Sequence, residues 1–314
     1  MEGAADLREC LVGGSVAAVE ELDVSVVLPV YNERGHLRTE IERIQHALTA
    51  SPYSFEIIVV DDGSNDGSET DLPTIPGIRL IRHSQNRGAG TARRTGTTAA
   101  CGRVVVWTDV DMTYPNDEIP MLVKELEGFD HVVGARRTEE GTRRFLRVPA
   151  KWFIRRLASY LVETDIPDLN SGLRAFRRDV AMQYVHHLPA GFSCVTTLTM
   201  SFLANGYQVK YVPIDYFPRA GESKFHWWRD TKRYLLQVVR MTLSYNPLKV
   251  FLPLGIALLL VGLGKLIFDL FDKDFRIAAN TLLILLASLQ AITVGLLADL
   301  VVRATKPSTQ VPPA

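Results

Sequence analysis

The chain has 314 residues, 47% hydrophobic and 22% charged, which is too apolar for disorder and long enough for one or two domains. Its 35 Lys and Arg balance 35 Asp and Glu, so bulk charge gives no reason to expect nucleic acid as a partner. Cys10, Cys101 and Cys194 are widely spaced and odd in number, excluding a disulfide framework or zinc pattern and marking the soluble part as cytoplasmic.

Residues 1–22 read as a tail. Within it Leu11 to Val19 is too short for a signal peptide, follows one basic residue, Arg8, and lies between Glu9 and Glu20, so targeting must come from elsewhere. From Val24 apolar β-rich runs alternate with amphipathic stretches, the pattern of an α/β fold with a mostly parallel sheet covered by helices. Strands are expected at 24–30, 55–60, 78–82, 104–108 and 131–134, and helices near 36–48, 90–101 and 118–126. Ligands of such sheets bind beyond the carboxyl ends of the strands. Those ends carry Tyr31-Asn32-Glu33, Asp61-Asp62-Gly63-Ser64, Asn86-Arg87-Gly88 and Asp109-Val110-Asp111.

Asp61-Asp62-Gly63-Ser64 alone could be a turn with its own side-chain caps. Asp109 and Asp111 say more, because residues two apart on an extended segment point the same way and paired carboxylates repel unless a cation lies between them. Hard oxygen donors favour Mg²⁺ or Mn²⁺, leaving coordination positions for phosphates. Gly88-Ala89-Gly90 resembles the start of a dinucleotide fingerprint, but Arg93 stands at its third position, so the segment reads as a tight turn into a helix. Arg87 is then placed to meet a phosphate.

Arg136 to Arg156 holds eight basic residues against two acidic, interleaved with Phe145, Trp152 and Phe153. A basic amphipathic helix at about 149–163 is expected to lie in a membrane interface. A strand near 209–216 leads to Arg219, Ser223 and Lys224, a loop suited to phosphate oxygens. Residues 226–247, with Trp227, Trp228, Tyr234 and Met241, form a second amphipathic segment. Val250 to Gly264 and Ile277 to Ala298 are uncharged runs of 15 and 22 residues. The second alone meets the roughly 20 residues a span requires, and the first does so if it extends to Phe268 with Lys265 snorkelling. Asp269 to Arg276 would be the charged turn of a hairpin over 248–303, leaving 304–314 as a tail. Basic residues concentrate before and after the hairpin, so both termini and the α/β domain are expected on the cytoplasmic side, as in a bacterial inner membrane.

Val26-Val27-Leu28-Pro29-Val30-Tyr31-Asn32-Glu33, Val59-Val60-Asp61-Asp62-Gly63-Ser64-Asn65-Asp66-Gly67-Ser68 and Asp109-Val110-Asp111 together resemble the family 2 glycosyltransferases of GT-A fold. Asp168-Leu169-Asn170-Ser171-Gly172-Leu173-Arg174 and Arg219-Ala220-Gly221-Glu222-Ser223-Lys224, with the hairpin, are similar to the polyprenyl-phosphate (dolichyl-phosphate) hexose synthase branch. The resemblance implies a GT-A domain over 23–225 that moves one sugar, with inversion, from a nucleotide-diphosphate sugar to polyprenyl phosphate. It implies that Pro29, Tyr31, Glu33, Asp62, Arg87 and Asp109 bind the donor, that Asp109 and Asp111 hold the metal, and that Asp111, Arg219 and Lys224 are catalytic. Arg136, Arg155, Arg156, Ser223 and Lys224 are then expected at the acceptor phosphate. Thr113 stands where many relatives have a metal-assisting Gln. Asp168 is expected to orient Arg174 or cap the following turn, or else to act as a base. No histidine has ligand spacing. Expected partners are the nucleotide sugar, the lipid phosphate and the bilayer; self-association is left open.

Two alternatives stand beside this reading. Gln237-Val238-Val239-Arg240-Met241 approaches the Gln-x-x-Arg-Trp motif of processive polysaccharide synthases, with Met241 in place of Trp. A non-catalytic nucleotide-sugar-binding scaffold is the other, and the intact carboxylate pair speaks against it.

Overall fold

Val24–Val30 forms β1, and nearly all its side chains are buried, as a central strand covered on both faces requires. It pairs in parallel with β2 (Phe55–Asp61) on one side and with β4 (Val104–Trp107) on the other. The remaining elements of this unit are α1 (Leu37–Thr49), α2 (Ser68–Asp71), β3 (Arg79–Arg82), α3 (Ala89–Ala99), α4 (Ile119–Lys124), β5 (His131–Arg136), β6 (Arg174–Arg177), α5 (Arg178–Met182), α6 (Cys194–Ala204) and β7 (Val209–Ile214). The computed structural model describes residues 22–137, 164–218, 246–272 and 277–305, with 156, 159, 160 and 243 besides. It divides into two units that part between Trp227 and Trp228.

The sheet has seven strands in the order β3-β2-β1-β4-β6-β5-β7. It is parallel except for β6, which runs antiparallel to both β4 and β5. One face is covered by α1 and α4 through Leu37, Ile41, Ile44, Leu48, Ile119 and Leu122, and the other by α3, α5 and α6 through Ala92, Val180, Leu198 and Phe202. Strand order reverses between β1 and β4, the position where ligands of open α/β sheets bind. There β1 and β4 separate early: their pairing stops at Val27 and Trp107, whereas β1 stays paired with β2 to Val30 and Asp61. Pro29, which has no N–H for a ladder, lies in the stretch where β4 has already departed. The sheet therefore opens into a crevice at its carboxyl end.

Three sequence expectations need correction. No strand was expected at Arg174–Arg177, because four residues with Arg at both ends lack a two-residue alternation; β6 exists because Ala175 and Phe176 are buried between β4 and β5. Asp109 and Asp111 are not set by strand alternation, since β4 ends at Trp107 and residues 110–112 form a bend. In the second unit α7 (Leu248–Asp272) runs through Asp269, so the turn to α8 (Ala279–Thr305) starts later than the charges suggest. Asp269 is buried and accepts hydrogen bonds from the Ala278 N–H, at 3.2 Å, and from the Thr281 hydroxyl, which draws a charge expected in the turn into the helix pair. Both helices are long and apolar enough to cross a membrane. The expected interfacial segments at 149–163 and 226–247 lie almost wholly outside the described residues.

Candidate active site

The crevice is lined by loops that tie one another in place. Asn32 follows β1 in the left-handed region, at φ 54°, which Asn tolerates better than other non-glycine residues. Its N–H donates to Ser64 Oγ at 3.1 Å, its side-chain amide donates to Asn65 Oδ1 at 3.0 Å, and the Asn65 N–H returns to Asn32 Oδ1 at 2.9 Å. Pro29, Tyr31 and Glu33 are half-buried beside this junction.

Asp62 is buried and its oxygens point into the protein. They accept from the Arg87 N–H at 3.0 Å and the Gly88 N–H at 2.7 Å, while Oδ1 lies 2.6 Å from His83 Nδ1. Asp62 thus fixes the turn that leads into α3, and the Arg87 side chain is left exposed at its rim. The glycines there are steric requirements: a Cβ on Gly88 would lie 2.4 Å from the Ala190 carbonyl oxygen, and one on Gly90 would lie 2.1 Å from that of Pro189. The Ala190 carbonyl accepts from the Gly90 N–H at 2.7 Å, so a backbone group and not an anion meets the first turn of α3. The turn reading of Gly88-Ala89-Gly90 holds.

Arg93, the residue that departs from the dinucleotide fingerprint, proves to belong to the site. Its side chain is buried, packs over the Trp107 ring at 5.6 Å, and donates to Asp109 Oδ1 at 2.6 Å. Burial would lower the guanidinium pKa, but the adjacent Asp109 charge outweighs it and keeps the group cationic. The Asp109 backbone is held as well: the Asn116 amide donates to its carbonyl at 3.1 Å and to buried Glu40 at 2.5 Å, and accepts from Thr108 Oγ1 at 2.5 Å. Asp111 is buried, with Oδ1 accepting from Thr113 Oγ1 at 2.5 Å and from the Thr113 N–H at 3.2 Å. Between them Met112 sits at φ 64°, a backbone strain concentrated on the loop that carries the pair. Thr113 is therefore turned inward onto Asp111 and orients it.

The segment Asp168 to Gly172 closes the same wall. A Cβ on Gly172 would lie 2.6 Å from Asp109 Oδ2, so a side chain there would push the carboxylate from its place. The Gly172 N–H donates to the Tyr114 hydroxyl at 2.6 Å, and the Tyr114 and Tyr216 rings meet edge to face at 5.3 Å. Asp168 receives Arg136 in a fork, at 2.7 and 3.0 Å, and the Arg136 guanidinium stacks over Tyr216 at 5.1 Å. Burial would raise the Asp168 carboxyl, yet the Arg136 fork and the Asn170 N–H, 2.9 Å away, hold it below the ordinary range. Asp168 caps the following turn as expected, but the arginine it orients is Arg136. Arg174 is bonded instead to the carbonyls of Ser171 and Val195 and to Thr199 Oγ1, and burial, with Arg93 nearby, lowers it to about 10.

The carboxylate pair thus offers hard oxygen donors on a braced loop, a donor set that would suit Mg²⁺ or Mn²⁺. Among the described residues no third His, Cys, Asp or Glu joins them as a metal cluster. Of the other expected site residues, Arg156 is described and exposed, while Arg155, Arg219, Ser223 and Lys224 lie outside the described residues. Arg93, His83, Tyr114, Asn116 and Tyr216 were missed. Arg93 alone had a signal, as the residue that broke a glycine pattern.

Residues 25–185 match the Glycosyl transferase family 2 description, and residues 246–304 match the GtrB C-terminal hairpin. An undecaprenyl-phosphate 4-deoxy-4-formamido-L-arabinose transferase of Pectobacterium carotovorum is 32% identical over 77% of this chain and 76% of its own. A dodecaprenyl-phosphate galacturonate synthase of Rhizobium johnstonii is 27% identical over 92% of this chain and 90% of its own. Against the Aeromonas hydrophila arabinose transferase, 32% identical, the match covers 64% of this chain and 62% of that protein's length. The crystal structure of glucosyl-3-phosphoglycerate synthase from Mycobacterium tuberculosis with Mn²⁺, UDP and phosphoglyceric acid superposes with a TM-score of 0.56 at 23% identity, over 71% of this chain and 78% of that one. The crevice is accordingly that of a GT-A fold, and with its motifs, its braced carboxylate pair and its C-terminal hairpin this chain belongs to the family 2 glycosyltransferases.

Proposed function

We propose that this glycosyltransferase moves a single sugar, with inversion, from a nucleotide-diphosphate sugar to polyprenyl phosphate, at a membrane into which its C-terminal hairpin is inserted. The observation that carries the reading is one chain combining Asp109 and Asp111, braced at the reversal of strand order, with two apolar helices long enough to span. Relatives named for undecaprenyl- and dodecaprenyl-phosphate products support the acceptor class.

In this mechanism Asp109 and Asp111 hold Mg²⁺ or Mn²⁺, which when bound offsets negative charge on the leaving diphosphate. Arg93 and Thr113 fix the two carboxylates beforehand, so little reorganisation accompanies the reaction. Pro29, Tyr31 and Glu33 line the donor side, and Asp62 acts by shaping the turn that carries Arg87. The acceptor phosphate is the nucleophile. With a second pKa of about 6 it is largely dianionic at neutral pH and has no proton to lose, so no general base is required. Asp168, ion-paired with Arg136, suits a brace. With Arg136 engaged there, the acceptor phosphate falls to Arg155, Arg156, Arg219, Ser223 and Lys224. The basic bias around the hairpin supports a catalytic unit and termini on the cytoplasmic side.

The test is release of nucleoside diphosphate by the full chain as polyprenyl phosphate is added. Release that rises and saturates with the lipid phosphate is expected. Release indifferent to it would refute the acceptor assignment.

A further inference from the structure

Within the second unit α7 and α8 pack through small residues. Gly255 lies against Ile292, Gly262 against Leu285 and Gly295 against Phe251, and Ser288 Oγ donates to the Gly255 carbonyl at 2.9 Å. The α7-facing side of α8 is therefore marked by Leu285, Ser288, Ile292 and Gly295. At about 100° per residue, Gln290 falls roughly 200° from both Ser288 and Ile292, on the opposite side of the helix. It is the twelfth residue of α8, near mid-span, and it is exposed. Among the described residues nothing is bonded to its amide.

An amide turned toward hydrocarbon is costly unless it is hydrogen-bonded, and polar side chains in membrane helices act as contacts between helices. The residues around it form a repeat. Leu283, Leu286, Gln290, Thr293, Leu297 and Leu300 are spaced three and four apart, all exposed, which is the seam of a left-handed helix pair. Thr293 bonds its own helix, at Leu289 O, 2.9 Å away, and is small enough for close approach.

We propose that this seam joins two copies of the chain, with Gln290 of each copy bonded to Gln290 of the other. The inference rests on the hairpin spanning a membrane. Copies inserted with the same topology present α8 in parallel at the same depth, so a two-fold axis brings Gln290 opposite itself. A carboxamide is self-complementary across such an axis, since each side chain both donates and accepts. A different membrane partner would have to supply a matching polar group at that depth, whereas a second copy carries one by construction.

The test places a photoactivatable benzophenone side chain at single positions from 282 to 297 of the full chain in native membranes. Dimer-sized products are expected at 283, 286, 293 and 297, where Gln290 is kept, and little at 285, 288 and 292. Energy transfer between labelled copies in vesicles should fall about three- to tenfold in association constant for Gln290→Leu, and Gln290→Asn should retain most of it. Cross-linking without that periodicity, or association unchanged in Gln290→Leu, would overturn the seam. Alkaline carbonate separates this from the membrane reading: a chain that stays in the pellet without seam cross-links defeats the pairing alone, and a chain that is extracted defeats both.

Discussion

Arg93, Thr113 and Asn116 hold the carboxylate pair, and the cost of removing them should follow. In the proposed mechanism Asp111→Asn removes one of the two carboxylates that would hold the metal and should lower turnover by orders of magnitude; more than about a tenth of activity at saturating metal, a loss under about 1.4 kcal/mol, would contradict its role. Arg93→Lys keeps a cation but not the planar fork, so it should raise the metal concentration for half-maximal rate severalfold and leave most of kcat. Asp168 yields a pH prediction with a definite sign. Its folded pKa is depressed, so the Arg136 pair contributes stability above the unfolded value of about 3.9 and loses it as pH falls through the folded one. An acidic limb of kcat/KM near pH 6 then belongs to the acceptor phosphate, and Asp168→Asn should keep that limb in place even if its rate drops. Disappearance of the limb in Asp168→Asn, with rescue by a small added base, would make Asp168 the base.

At the scale of elements, the central strands were legible because β1, β2 and β4 are runs of Val, Ile and Leu buried on both faces, and the crevice loops because polar residues follow each run directly. β6 was not legible, since its four residues gain meaning only from partners 41 or more positions away in β5 or β4. The braces were not legible either. His83 and Arg93 act on carboxylates 21 and 16 positions away, and Asn116, 76 positions from Glu40, ties it to Asp109. Helix α3 shows local propensity losing to tertiary contact. Gly90→Ala in a helix ordinarily gains about 1 kcal/mol, but here the added carbon meets the Pro189 and Gly191 carbonyls at 2.1 and 2.7 Å. Forcing that backbone apart typically costs about 1–3 kcal/mol, so Gly90→Ala should lower the thermal midpoint of the detergent-solubilised full chain. An unchanged or higher midpoint would show that residues 189–191 yield freely.

For the whole molecule, the zero net charge and modest mean hydropathy of 0.07 conceal two chemistries, a charged α/β unit and an apolar helix pair. Each was legible from composition in its own part of the chain. The donor sugar was not, because hydroxyl recognition depends on loop geometry. The proposed function joins the parts: the carboxylate site would serve transfer from a diphosphate donor, and a membrane-inserted hairpin would select an acceptor that resides in a bilayer. The most direct test is to incubate the purified full chain with a panel of nucleotide sugars, Mg²⁺ or Mn²⁺ and polyprenyl phosphate, and to determine the mass of the organic-soluble product. The expected product is polyprenyl phosphate carrying one sugar, formed only with metal. A growing polymer, or no lipid-linked product with any donor while the protein remains folded, would contradict it.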